Sequence, residues 1–318
     1  MVTAQTWRRG LLAGARTSWT LGKVIFPVTV VVTVLRYTPV IDGLTALFAP
    51  LMKLVGLPGE AAVVLALGNL LNLYAAIGAM LSMSLTVKEV FLLAVMLSFS
   101  HNLLVETAVT RRIGVRVGAA AGMRLGLAFG SAALLNLLWR GGEEPARYGL
   151  VPPAVPDLAG DWDAIAWHGI ETAFWGVVQM ALIVLPLMVG IELLKDLRVV
   201  DRLSRLLAPL TRLLGLSERT SLTLLAGLLF GLAFGAGVII ESAREAGFSK
   251  RDLYLLTLFL SACHAVVEDT LIFVPLGINV LGLLALRLAV ALILTMLLAR
   301  VWRALEARRA QRPTTYRA

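Results

Sequence analysis

The apolar positions gather into eight long runs, at about 21–36, 61–84, 88–105, 117–139, 174–194, 219–243, 252–273 and 275–300. Each approaches the roughly 20 residues that carry an α-helix across about 30 Å of hydrocarbon. No strand-like alternation runs through them, and a spanning segment must satisfy its own backbone in lipid. The pattern therefore predicts an all-α polytopic membrane protein. Two shorter stretches, Ile41–Leu57 and Val199–Leu216, mix apolar residues with Asp42, Lys53, Asp201, Arg202, Arg205 and Arg212. They predict amphipathic helices lying in the membrane interface. The stretch Trp139–Gly169 is a polar linker holding Gly141-Gly142, Pro145, Pro152-Pro153 and Pro156, and it separates two halves of similar length.

Composition sharpens this picture. Apolar residues make up 58 % of the 318 and charged residues 15 %, against about 25 % charged in soluble domains, and mean hydropathy is +0.84. An ordinary cytosolic enzyme is not expected, and a disordered chain is excluded. A lone cysteine, Cys263, excludes a disulfide framework or a multi-cysteine metal site. The net charge of +9 does not point to nucleic acid. Lys and Arg sit beside the apolar runs, where they orient helices and touch anionic headgroups. Arg8-Arg9 precedes an apolar run with no small-residue cleavage site after it, and is read as part of an uncleaved first helix.

The halves repeat one another. Pro27 matches Pro186, Asp42 matches Asp201, and Phe48-Ala-Pro-Leu-Met-Lys-Leu-Val-Gly-Leu57 matches Leu207-Ala-Pro-Leu-Thr-Arg-Leu-Leu-Gly-Leu216, all 159 residues apart. After an insertion near Ser242–Gly247 the offset becomes 163. Thr86-Val-Lys-Glu89 then matches Ser249-Lys-Arg-Asp252 as helix N-caps, and His101, Glu106-Thr107 and Arg124 match His264, Asp269-Thr270 and Arg287. Expected units are a first repeat at 1–138, a linker at 139–173, a second repeat at 174–300 and a basic cytoplasmic tail at 301–318.

Four basic clusters want the cytoplasmic side: Arg8 to Lys23, Arg111 to Arg116, Lys195 to Arg212, and Arg300 to Arg317. Eight full crossings would split them between the two faces. Three crossings per half reconcile them, provided that the histidine-bearing segment of each half is re-entrant or broken midway. The halves are then inverted, both termini are cytoplasmic, and the location is the cell membrane. Inverted repeats with broken helices near the midplane are typical of secondary transporters.

The candidate chemistry is His-x4-[Glu/Asp]-Thr: His101, Glu106 and Thr107, then His264, Asp269 and Thr270, with Glu268 as an added carboxylate. In an unbroken helix the His and the acid would stand about 140° apart; a broken one would let both face a cavity. Intramembrane ionisable groups are costly and generally functional. The substrate-binding candidates are His101, Glu106, Thr107, His264, Glu268, Asp269, Thr270 and Asn72. Candidate metal ligands are His101, Glu106, His264, Asp269 and Cys263. The competing reading makes each His–acid pair a brace for a re-entrant turn. Asn69, Asn72 and Asn102 read first as interhelical hydrogen-bonding groups. Gly227, Gly231 and Gly235 read as one closely packed helix face. For Arg124 and Arg287, snorkelling and pairing with Glu106 or Asp269 weigh equally. His168 with Trp162 and Trp167 suggests an interfacial belt.

The stretches Leu85-Thr-Val-Lys-Glu-Val to Ser-His-Asn-Leu-Leu-Val-Glu-Thr107, and Ser261-Ala-Cys-His to Glu-Asp-Thr270, resemble the Gate, or nucleoside-recognition, family of membrane proteins. That family includes the spore maturation proteins A and B. The resemblance extends more distantly to concentrative nucleoside transporters and the ferrous iron transporter B. It implies inverted repeats, interfacial helices and re-entrant hairpins. The chain departs from those relatives in having neither a GTPase domain nor a Gly-Cys-x-x-Pro gate motif.

The expected function is a secondary transporter or permease, with a nucleoside-like solute or a divalent cation as substrate. A non-transporting assembly factor is the alternative, and an enzyme is not expected, since no nucleophile motif accompanies the histidines. Expected partners are the lipid bilayer and a small polar solute or cation, with no nucleic acid and with a homo-oligomer left open. The sequence assigns no cofactor.

Overall fold

A computed structural model describes residues 2–152, 161–197 and 199–310. Pro153, Pro156, Asp157, Arg198, Arg312 and Arg317 lie outside the described residues, as do the side chains of Lys195, Asp201, Arg202 and Arg205. The described part is helical, with no strand among the described residues beyond an isolated bridge of Thr86 with Pro145.

Helix α1 (Ala4–Arg36, 33 residues) opens on a Thr3/Thr6 capping box, and it packs against the similarly long α8 (Trp162–Asp196, 35 residues). The two pack through small residues. Gly10 lies against Val189, Gly14 against Leu185, Gly22 against Val177, and Gly169 against Val30 and Thr33. As one residue number rises the other falls, so the helices run antiparallel. A Cβ on Gly10 would sit 2.7 Å from the Cα of Val189. This backbone approach is how helices gain packing energy where lipid supplies no hydrophobic drive. Asp196 fastens one end, accepting from the Thr6 hydroxyl and from Arg9 at 2.7 and 2.6 Å.

The amphipathic segments are α2 (Pro39–Leu54) and, later, α9 (Val199–Leu213). Each presents an apolar edge to its surroundings, Leu47 and Leu54 on α2 and Leu206 and Leu213 on α9.

The apolar run at 61–84, read as one span, is two helices, α3 (Ala61–Leu70) and α4 (Leu73–Leu81). Leu71 ends the first and Asn72 caps the second: its Oδ1 accepts from the Ala75 N–H at 3.0 Å. The chain turns back so sharply that a Cβ on Gly68 would lie 3.0 Å from that of Ala76. The run 88–105 is α5 (Val87–Ser100) and α6 (Leu103–Arg112), interrupted at His101 and Asn102, where Asn102 takes φ 54°. The Thr86/Glu89 capping box starts α5, and α7 (Val117–Leu138) follows.

The second half also contains interrupted helices. Helix α10 (Ser221–Phe234) is broken internally at Gly231, with φ 75° and ψ 178°, and is followed by α11 (Ala236–Glu245). Helix α12 (Lys250–Ala262) starts on the Ser249/Asp252 capping box. It gives way at Cys263 to an irregular stretch and the short α13 (Glu268–Leu271), and α14 (Val280–Ala310) closes the chain.

Among the described residues, five helical stretches are long and apolar enough to cross a membrane: Ala4–Arg36, Val87–Arg112, Val117–Leu138, Trp162–Leu194 and Val280–Arg308. The fold is an all-α polytopic membrane protein. One sequence expectation needs correcting: two apolar runs in each half are interrupted, not one. Helix α8 begins at Trp162, inside the stretch read as linker, and α14 runs on to Ala310.

Candidate functional site

Both histidines sit where a helix stops. His101 is the C-cap of α5, and its Nδ1 lies 2.7 Å from the Leu97 carbonyl; His264 follows α12, with Nδ1 2.7 Å from the Leu260 carbonyl. A carbonyl only accepts, so each Nδ1 carries the hydrogen. In the neutral ring, Nε2 is then left as a lone pair.

Main-chain bonds hold each break. The Asn102 N–H donates to Gly68 at 2.8 Å, and the Ala265 N–H donates to Gly227 at 3.0 Å. Asn102 and Ala265 both adopt positive φ, 54° and 40°. These left-handed residues rotate the following turn, so Glu106 and Asp269 swing toward the histidines they would miss in an unbroken helix. Gly231 is at a break rather than on a continuous packing face, and a Cβ there would meet His264 Cδ2 at 3.4 Å.

Two buried arginines complete the frame. Arg124 on α7 donates to the Phe99 carbonyl at 2.9 Å and the His101 carbonyl at 2.6 Å, and pairs with Glu106 at 2.7 Å. Arg287 on α14 donates to the His264 carbonyl at 2.6 Å and to Asp269 at 3.0 Å. Both arginine side chains are 0 % exposed, which decides for pairing over snorkelling.

The two motifs meet. The imidazole centroids are 5.1 Å apart. Glu106 Oε1 lies 3.6 Å from His101 Nε2 and 3.4 Å from His264 Nε2, and Asp269 Oδ2 lies 3.6 Å from His264 Nε2. His101, His264 and Asp269 each offer a ligand atom, all within 4.8 Å of one another. No hydrogen-bond partner reaches His264 Nε2. The space at this junction measures about 40 Å³.

Of the sequence candidates, His101, Glu106, His264, Glu268, Asp269 and Asn72 line that space. Asn72 does so as a helix cap rather than through an interhelical bond. Thr107, Thr270 and Cys263 are not on its wall: Thr270 donates to the Val266 carbonyl at 2.6 Å, bracing the backbone, while Cys263 and Thr107 are buried beside it. Tyr74 and Phe230 belong to the wall and were not anticipated. Tyr74 donates to Glu268 across the two halves. Its matching position is Ala233, so the repeat gave no signal for it.

The comparisons agree with this architecture. The family profile described as Gate, nucleoside recognition, matches residues 18–123 and 177–279. The chain is 52 % identical over 296 residues to the uncharacterized membrane protein YvoD of Bacillus subtilis, covering 92 % of this chain and 94 % of that protein. No solved structure matches the chain. With the family profile spanning most of both halves, the chain belongs to the Gate family of nucleoside-recognition membrane proteins.

Proposed function

We propose that the protein is a secondary transporter of the cell membrane whose central site takes a divalent cation as cargo. The carrying observation is a set of acceptors facing one another. Glu106 Oε1 stands 3.6 Å from His101 Nε2 and 3.4 Å from His264 Nε2, and Asp269 Oδ2, which also accepts from Arg287, stands 3.6 Å from His264 Nε2; His101, His264 and Asp269 offer ligand atoms within 4.8 Å of one another. Tetrahedral ligands about 2.0–2.2 Å from a zinc-sized ion stand roughly 3.3–3.6 Å from one another. The Nδ1–H to carbonyl bonds also suit this role, because metal-binding histidines generally donate their second nitrogen to a carbonyl or carboxylate.

Size and charge favour the ion over a nucleoside. A water molecule occupies about 30 Å³ of liquid, whereas ligand pockets for drug-sized molecules run to about 300–1,000 Å³. The central space of about 40 Å³ suits an ion or a water. Formal charges around it are three carboxylates, Glu106, Glu268 and Asp269, against Arg124 and Arg287. With neutral histidines the site carries one excess negative charge, which draws a cation in.

In this reading the halves are inverted repeats, both termini are cytoplasmic, and the site binds and releases rather than catalyses. The antiparallel α1–α8 seam and the matched breaks at Asn72 and Gly231 support it. The test is Zn²⁺ uptake into proteoliposomes holding a zinc-sensitive dye, with uridine uptake alongside. Zn²⁺ flux should fall in His101→Ala and His264→Ala. Unchanged flux in both rejects the assigned site. Uridine flux lost in the same variants would transfer the site to a nucleoside. Immobility of both solutes together with a co-purifying protein would favour the assembly role.

A further inference from the structure

Phe230 and Glu268 line three adjoining cavities. One is the central space of about 40 Å³. A second is an apolar groove of about 720 Å³ against α8, and the third is a space of about 530 Å³ bordered by Arg16, Thr17 and Thr20 of α1. Tyr74, on α4, holds the Glu268 carboxylate from the opposite half of the chain. The positions matching this pair are Ala233 and Val105, which can make no such bond. The central site thus has a polar doorway toward α1 and α8, and apolar residues at the matching place on its other side.

We infer that Glu268 is a transfer position, through which a cation moves between the central acceptors and the space beside α1 that Thr17 and Thr20 border. This rests on the cation-transport reading. An ion leaving the central acceptors enters a region walled by Leu229, Phe230 and Ile191, where an unpaired charge is strongly disfavoured. Glu268 is next to Asp269 in the chain and faces both spaces, so it offers an oxygen before the last central ligand is released. It also opposes the repulsion of the Arg16 guanidinium across the outer space. Glu268 is therefore a positioning residue for passage and not one of the central acceptors.

The experiment pairs equilibrium Zn²⁺ binding in detergent with Zn²⁺ flux in proteoliposomes, for the full-length wild type, Glu268→Gln and Glu268→Asp. Both variants should still bind Zn²⁺, more weakly in Glu268→Gln, which loses one negative charge from the wall, and near wild type in Glu268→Asp; flux is compared at saturating Zn²⁺. Flux should fall about tenfold or more in Glu268→Gln, the scale on which a like-signed lining concentrates counter-ions, and recover in part in Glu268→Asp. Wild-type flux in a Glu268→Gln protein that still binds Zn²⁺ overturns the inference and leaves the central site standing. Loss of Zn²⁺ binding in Glu268→Gln also overturns it, making Glu268 part of the central site. A wild-type protein that binds no Zn²⁺ overturns the cation reading itself.

Discussion

Glu106, on α6 of the first half, lies 3.4 Å from Nε2 of His264 in the second half, closer than the 3.6 Å to His101 in its own motif. The site is therefore assembled between the halves, and neither half carries it alone. Glu106→Gln, which keeps the shape and removes the charge, should weaken Zn²⁺ binding by about 100-fold, at or beyond the upper end of what loss of an outer-shell partner does. Isothermal titration on the purified protein measures it. A variant binding within threefold of wild type would remove Glu106 from the site.

The arginine braces make a separate claim about stability. Removing one partner of a buried ion pair typically costs about 3–5 kcal/mol. Arg124→Ala leaves the Glu106 carboxylate and the Phe99 and His101 carbonyls without their donor. A comparably large loss is expected in denaturant melts in detergent. Arg124→Lys should rescue little, because an ammonium does not reproduce the guanidinium fork.

Gly231 tests the break in α10. Its φ of 75° is left-handed, and a Cβ would lie 3.1 Å from that of Ala265. Gly231→Ala should destabilise by about 1–3 kcal/mol, the usual cost of a strained backbone position. Gly237→Ala is the matched control: it sits in α11 at ordinary φ with nothing within 4 Å. It should be neutral or slightly stabilising, since Ala is the better helix former by about 1 kcal/mol. Thermal melts of the two variants decide it, and equal losses would refute the strain.

The α1–α8 clasp gives a pH dependence. The Thr6 hydroxyl, and then Arg9, hold the Asp196 carboxyl below its ordinary value of 3.8. A depressed acid stabilises the fold above its unfolded value, and that stabilisation is lost as pH falls through the folded one. The melting-temperature gap between wild type and Asp196→Asn should stay constant near neutral pH and close in acid below 3.8. A gap independent of pH would show that the carboxylate charge is irrelevant there.

Much of this was legible in the sequence because it rests on local chemistry. The Thr86/Glu89 and Ser249/Asp252 boxes read directly as helix starts, and both are present. The 163-residue offset put His101 and His264 in matched places, and the structure brings their rings together. The break at Asn72 was not legible. Its flanks, Ala61–Leu70 and Leu73–Leu81, are both apolar, and hydropathy responds to transfer into lipid rather than to direction of travel. Gly231 was hidden by regular glycine spacing that suits a packed face equally well. Burial of Arg124 was undecided because charge alone does not say which way a long side chain runs. Contact of Tyr74 with Glu268 depends on tertiary placement alone, and the repeat offered no partner to flag it.

Glycines closing α1 onto α8 leave those two helices little freedom to slide, since each step would drive a side chain into main chain. They form the axle of the molecule. If the protein transports as proposed, exposure of the histidines to one face or the other falls to the short pieces that meet at residues 72, 102, 231 and 265, so that alternation would be a matter of hinged flaps about a fixed shaft rather than of whole halves rocking.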